Sequence, residues 1–163
     1  MNKILNPDKA IRVATKLNAS GQKIVVSGGC FDILHEGHLQ YLKNSKKHGN
    51  ALFVLLESDE NIKKLKGQKR PVHNQEDRAK ILAGVEFVDF IILLPKVIDS
   101  DIYDKLLFAI KPSVLATTKG DPNRFHKERQ AKLVGGKVVD VINLIPDQST
   151  SKYIDHVKNT HAK

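Results

Sequence analysis

The chain has one cysteine, Cys30, one methionine and no tryptophan. A lone cysteine excludes an internal disulfide and the paired thiolates of most structural zinc sites, and it fits a reducing cytoplasm, the expected location. Aromatic residues make up only 6% of the sequence. With no aromatic-rich strand and no known nucleic-acid motif, the sequence speaks against nucleic acid as a partner. Long apolar runs are missing as well. The longest, around Val88 to Leu94, falls far short of the roughly 18 to 20 residues that cross a bilayer, so no membrane partner is expected. The N-terminal stretch has no continuous apolar segment of the kind that forms a secretory signal. Acidic side chains are in deficit, 18 against 27 Lys and Arg, giving a net charge of +9 and a pI near 9.6. That balance attracts polyanions, nucleotides and sugar phosphates among them. Many of the lysines, such as Lys43, Lys46, Lys47, Lys158 and Lys163, need no more than a solvated surface.

What is present is an ordinary globular composition, 40% hydrophobic and 28% charged over 163 residues. It suffices for one buried core and is too small for two full-sized domains. We expect a single domain over 1–163, with an N-terminal helix from Pro7 to Leu17 inside residues 1–20 and a catalytic core over 21–157. KIVVSG is a short apolar run ending at Gly28 and Gly29, the pattern of a buried strand entering a tight turn. Leu39, Leu42 and Ser45 then mark one face of a helix from Gly37 to His48, stopped by Gly49. The alternation continues with ALFVLLES as a strand, Asp59 to Leu65 as a helix and GQKRPVHN as a polar loop. QEDRAKILAGV reads as a helix, VDFIILLP as a strand stopped by Pro95, residues 101–110 as a helix and KPSVLATT as a strand. NRFHKERQAKLVGG, KVVDVI and STSKYIDHVKN complete the series as helix, strand and helix. Strands separated by helix-length segments imply βαβ crossovers, hence an α/β, doubly wound parallel sheet with helices on both faces. Ligands in such sheets bind beyond the carboxyl ends of the strands, which directs attention to the glycine turn after KIVVSG.

Gly28 and Gly29 let the backbone approach an anionic group, and the following helix directs its positive end and first N–H groups at the same place. His35 and His38, three positions apart at that helix start, can face one direction and offer two imidazole donors to a phosphoryl group. A metal pair is the competing reading of this spacing. It needs further ligands, and only Asp32 is near, with no second cysteine.

The full segment, GGCFDILHEGH, resembles the signature of the cytidylyltransferase-like nucleotidyltransferases: a glycine turn, an FD pair and an HxGH tetrad, in that order. The resemblance implies a Rossmann-like fold on which an acceptor phosphate attacks the α-phosphorus of a nucleoside triphosphate, with Mg²⁺ on the phosphates and pyrophosphate leaving. It makes His35 and His38 the groups that stabilise the transition state. It places Gly28, Gly29, Cys30 and Phe31 at the nucleotide cleft, Cys30 and Phe31 chiefly through packing, and gives Asp32 a part in organising the loop or meeting the acceptor. Family members are often dimers, so a homodimer is expected.

Further landmarks follow the same order. KKLKGQKRPVHNQEDR resembles the family's basic loop and the arginine-bearing helix behind it. Lys66 stands there as a catalytic cation, with Arg70 and Arg78 as triphosphate ligands. Gly120 and Asp121 match a turn that meets base and ribose, and Ser149, Thr150 and Ser151 match a hydroxyl-rich turn that holds the distal phosphates. LIPDQ replaces the RTEG stretch of glycerol-phosphate and choline-phosphate cytidylyltransferases, which moves the expected donor from CTP to ATP. The wording is closer to the domain that adenylylates heptose 1-phosphate, although TTKGDPNR departs from the usual turn there. CTP-dependent transfer to glycerol 3-phosphate, FMN adenylylation and a basic module that holds nucleic acid or nucleotide without catalysis are the alternatives.

Overall fold

In a computed structural model of the chain, described for residues 2–96, 100–143, 152 and 154, six parallel strands form one sheet. In chain order the elements are β1 (Ile4–Leu5), α1 (Pro7–Ala19), β2 (Ile24–Gly29), α2 (Glu36–Lys46), β3 (Ala51–Leu56) and α3 (Asp59–Lys66). They continue with α4 (Gln75–Ala83), β4 (Phe90–Leu93), α5 (Ser100–Ile110), β5 (Val114–Lys119), α6 (Arg124–Val134) and β6 (Lys137–Asn143). The strand order is β1-β4-β3-β2-β5-β6. The chain therefore runs from β2 outward through β3 and β4, then returns to the other side of β2 for β5 and β6. That reversal opens a crevice between the carboxyl ends of β2 and β5.

The strands read as apolar runs because both faces of the sheet are covered. All six residues of β3 are buried, and their alternation sends Phe53 and Leu55 into one core and Leu52, Val54 and Leu56 into the other. The first core lies under α1, α5 and α6, with Ala10, Ala14, Leu106, Leu107, Ile110 and Ala131. The second lies under α2 and α4, with Tyr41, Leu42, Ala79 and Leu82. Asn6, Ser58 and Asn74 cap α1, α3 and α4 by accepting from the amides of Lys9, Asn61 and Asp77.

The doubly wound architecture expected from the sequence is the one observed. The N-terminal helix runs to Ala19, two residues further than its periodicity indicates. Strand β1, paired with β4 through Ile4 and Leu5, is absent from the expectation because two residues carry no period. The final helix expected for STSKYIDHVKN lies outside the described residues, apart from Lys152 and Ile154, which are helical. No helix among the described residues is long and apolar enough to cross a membrane.

Candidate active site

Strand β2 delivers the chain to the crevice and α2 carries it away. His35 is the N-cap of α2, with extended backbone at φ −137° and ψ 171°, and its carbonyl accepts from the amides of His38 at 2.9 Å and Leu39 at 3.2 Å. N-cap and N3 side chains lie beside each other on a first helical turn, so the two imidazoles stack with centroids 3.8 Å apart and planes 29° from parallel. Beneath them the buried Phe31 ring sits 5.3 Å from that of His38. Phe31 has φ 43°, in the left-handed region that side chains disfavour, and its burial against the pair holds it there. Gly29 leaves room for this ring: a Cβ there would come within 2.9 Å of Phe31 Cε2. At Gly28 a Cβ would meet the Tyr103 hydroxyl at 2.8 Å.

Burial pushes the His38 imidazole down to about 4, helped by His35 and Lys66 and opposed by a hydrogen bond to the Ile33 backbone. Burial lowers His35 as well. Both rings are therefore neutral at neutral pH, and each offers one N–H donor.

Asp32, Arg70 and Arg78 tie the surrounding loops together. The Asp32 carboxylate is buried and accepts from Arg70 Nε at 2.6 Å and from the amides of Val72 at 2.8 Å and His73 at 3.0 Å. Burial alone would raise its pKa, but these donors and the Arg70 charge hold it below the usual carboxylate range. Asp32 thus pins the 67–74 loop to the motif turn. Arg70 is itself buried, and its Nη2 has no hydrogen-bond partner among the described residues. Arg78 is fully buried. Its Nε donates to the His73 carbonyl at 2.9 Å, Nη1 to the Cys30 carbonyl at 2.5 Å, and Nη2 to the Glu57 carbonyl at 2.8 Å and Asp59 Oδ1 at 2.7 Å. These bonds use four of the five guanidinium N–H groups. Arg78 joins three loops, where the sequence suggested a phosphate ligand.

The crevice holds a cleft of about 480 Å³. Of the residues expected at the site, Gly28, Gly29, Cys30 and Asp121 line it. His35, His38, Phe31, Asp32, Lys66, Arg70, Arg78 and Gly120 are not wall residues. Cys30 links the two groups: burial raises its thiol pKa, Glu57 adds to the rise, and Lys66, Arg78 and Arg70 are close enough to pull it down. Lys66, exposed at the end of α3, acts on His38 too. Gly120 turns with φ 84°. Asp121 accepts from Thr117 Oγ1 and Lys127 Nζ, both at 2.7 Å, and from the Asn123 amide at 2.8 Å. Ser149, Thr150 and Ser151 lie outside the described residues.

Several wall residues escaped the sequence reading. Glu57, Asn61 and Tyr103 lie on the β3 and α5 side, and Asn123, His126 and Lys127 on the β5 and α6 side. His126 is exposed and borders the cleft. Glu57 had a signal, since it directly follows an unbroken apolar strand at the edge where doubly wound sheets bind ligands.

The cytidylyltransferase-like family model matches residues 26–154. The chain belongs to this family. The glycine turn, the histidine pair and the cleft all fall inside the matched span. Among curated relatives, the bifunctional protein HldE of Wolinella succinogenes is 38% identical over 97% of this chain and 32% of its own length. HldE of Helicobacter pylori is 40% identical over 98% of this chain and 32% of its own. The cytidylyltransferase-like chain thus spans about a third of the relatives it matches. Among solved structures, a lipopolysaccharide core biosynthesis protein of Thermoplasma volcanium superposes with a TM-score of 0.61 at 26% identity, over 77% of this chain and 98% of that one. Pantoate-beta-alanine ligase of Francisella tularensis shares the fold, with a TM-score of 0.67 at 18% identity over 90% of this chain and 69% of that one.

Proposed function

We propose that the chain transfers adenylate from ATP to the phosphate of a sugar 1-phosphate of the heptose type, releasing pyrophosphate. The stacked, neutral His35–His38 pair at the start of α2 carries this reading. Support for the donor and acceptor comes from the HldE relatives over nearly the whole chain and from the LIPDQ stretch in place of an arginine-bearing turn.

An acceptor phosphate oxygen attacks the α-phosphorus, the α–β phosphoanhydride bond breaks, and pyrophosphate carries the electron pair away. Negative charge grows on the α-phosphoryl oxygens and on the departing oxygen. His35 and His38 donate N–H bonds to these oxygens and stabilise that charge without giving up a proton. Lys66 adds a mobile point charge, and the unsatisfied Nη2 of Arg70 supplies a further donor. Asp32 and Arg78 hold the loops in place. Mg²⁺ would arrive on the triphosphate, whose charge it neutralises, since among the described residues no group of three or more His, Cys, Asp or Glu side chains could hold a metal ion.

The reading is tested by pairing ATP or CTP with heptose 1-phosphate, glycerol 3-phosphate, phosphocholine, phosphoethanolamine and FMN, and scoring pyrophosphate. ATP with heptose 1-phosphate should give the strong signal. A strong signal with CTP, or with FMN alone, would replace the proposed donor or acceptor. In the active pair His38→Ala should lower kcat by roughly 10²- to 10³-fold, about 3 to 4 kcal/mol. A loss under threefold in a folded variant removes His38 from the chemistry. We further propose a homodimer, checked by sedimentation equilibrium.

A further inference from the structure

The cleft wall contains a group that a site for two phosphorylated substrates does not need. Glu57 follows β3 directly, and its amide donates to the Gly29 carbonyl at 3.2 Å, so its backbone lies alongside the glycine turn. Its carbonyl is held by Arg78. Its side chain is aimed by Asn61, whose Nδ2 donates to Oε2 at 2.6 Å, and the Asn61 amide is in turn fixed by the Ser58 cap at 3.2 Å. Asn61 is the one hydrogen-bond partner of the Glu57 carboxylate among the described residues, and both Glu57 and Asn61 line the cleft. This carboxyl is therefore oriented, partly satisfied and open to a ligand.

A carboxylate repels phosphate and accepts hydroxyls, two of them when it presents both oxygens to a diol. In a chain of net charge +9, an acid in this wall has a cost for phosphate binding that a hydroxyl-bearing ligand offsets. Neighbouring groups suit the same ligand: Asn61 keeps its side-chain carbonyl as a further acceptor, and the Tyr103 hydroxyl reaches the cleft beside Gly28. Burial holds the Glu57 carboxyl above its ordinary range, so in an empty cleft it is a reluctant anion that hydrogen-bonding hydroxyls would settle. Asp121, the other acid among the described cleft residues, is already occupied by Thr117, Lys127 and Asn123 and lies across β2, on the β5 side.

Resting on the adenylyl-transfer reading above, we propose that Glu57 and Asn61 form the subsite for the hydroxyl end of a polyhydroxylated acceptor, whose phosphate points away from them toward Lys66 and the histidine pair. Glu57 then determines specificity among phosphorylated acceptors.

The test compares wild type, Glu57→Gln and Glu57→Ala with ATP and either heptose 1-phosphate or ethyl phosphate, which keeps the phosphate and lacks the hydroxyls. The KM for heptose 1-phosphate should rise at least tenfold in Glu57→Ala and several-fold in Glu57→Gln. The KM for ATP and kcat at saturating acceptor should stay within about twofold, and the preference of wild type for the sugar over ethyl phosphate should shrink by the same factor. Circular dichroism and thermal unfolding confirm that the variants fold. An unchanged acceptor KM overturns the proposal. A raised ATP KM with unchanged acceptor KM also overturns it and assigns Glu57 to the ribose. If wild type turns over no pair at all, the adenylyl-transfer reading fails. Calorimetric titration of heptose 1-phosphate with a non-hydrolysable ATP analogue present then decides the subsite alone: binding weakened in Glu57→Gln supports it, and equal binding overturns it.

Discussion

At neutral pH His38 carries no charge, because burial beside His35 and Lys66 pushes its imidazole down to about 4. In the unfolded chain the same ring titrates near 6.5, so between these values the unfolded state binds more protons than the folded one. This contribution to stability is intact above about pH 6.5 and declines as the pH falls toward 4, by at most about 1.4 kcal/mol per pH unit. A His38→Gln variant should show a flatter stability profile between pH 4 and 6.5 in urea titrations, and a profile parallel to wild type would contradict the assignment. Arg78 gives a second residue-scale expectation. Arg78→Met strips donors from three carbonyls and leaves Asp59 without its partner, at a cost of at least about 3 kcal/mol. For a chain of this size that lowers Tm by roughly 6 to 12 °C in a thermal scan. The histidines and glycines were legible in the sequence because their spacing around a strand end is itself the chemical requirement. Arg78 resembles a phosphate ligand in the sequence because a cation beside a basic loop looks solvated until its burial is seen, and Glu57 is marked only by its place after an apolar strand, since a single acid there names no chemistry.

Strand β3 illustrates what a sequence reveals about whole elements, since six consecutive apolar residues buried on both faces announce a central parallel strand. Strand β1 is the opposite case, two residues made a strand only by pairing with β4. The segment 67–74 read as a basic loop, yet its course depends on Asp32, which is 40 positions from Val72 in sequence and 2.8 Å away in space. Asp32→Ala should release this loop and leave the sheet in place. Hydrogen exchange of the Val72 and His73 amides is expected to accelerate by more than tenfold, with the amides of β2 and β3 unchanged; equal protection in the variant would show that the loop is held by other means. The acid sensitivity has a definite sign as well. The Asp32 pKa is lowered in the fold, so its contribution is present above about 3.9, the ordinary aspartate value, and is lost as the pH falls through the folded value.

Across the whole molecule, the excess of nine positive charges should draw the triphosphate from a distance. kcat/KM for ATP is then expected to fall several-fold as salt rises from about 0.05 to about 0.5 M, where screening shortens from about 14 to about 4 Å, while kcat holds steady. A kcat/KM indifferent to salt would confine recognition to short-range contacts. Charge and alternation together made the class of ligand and the class of fold readable from the chain, whereas the partition of the crevice emerged only when the strands were put in spatial order. That order has a practical consequence. Because β2 stands between β3 and β5, Glu57 and Asn61 travel on one stretch of chain, while Asp121, Asn123 and Lys127 travel on another. The two walls can be exchanged separately, so a transplant of residues 57–66 from one homologue to another is a route to a new acceptor with the old nucleotide kept.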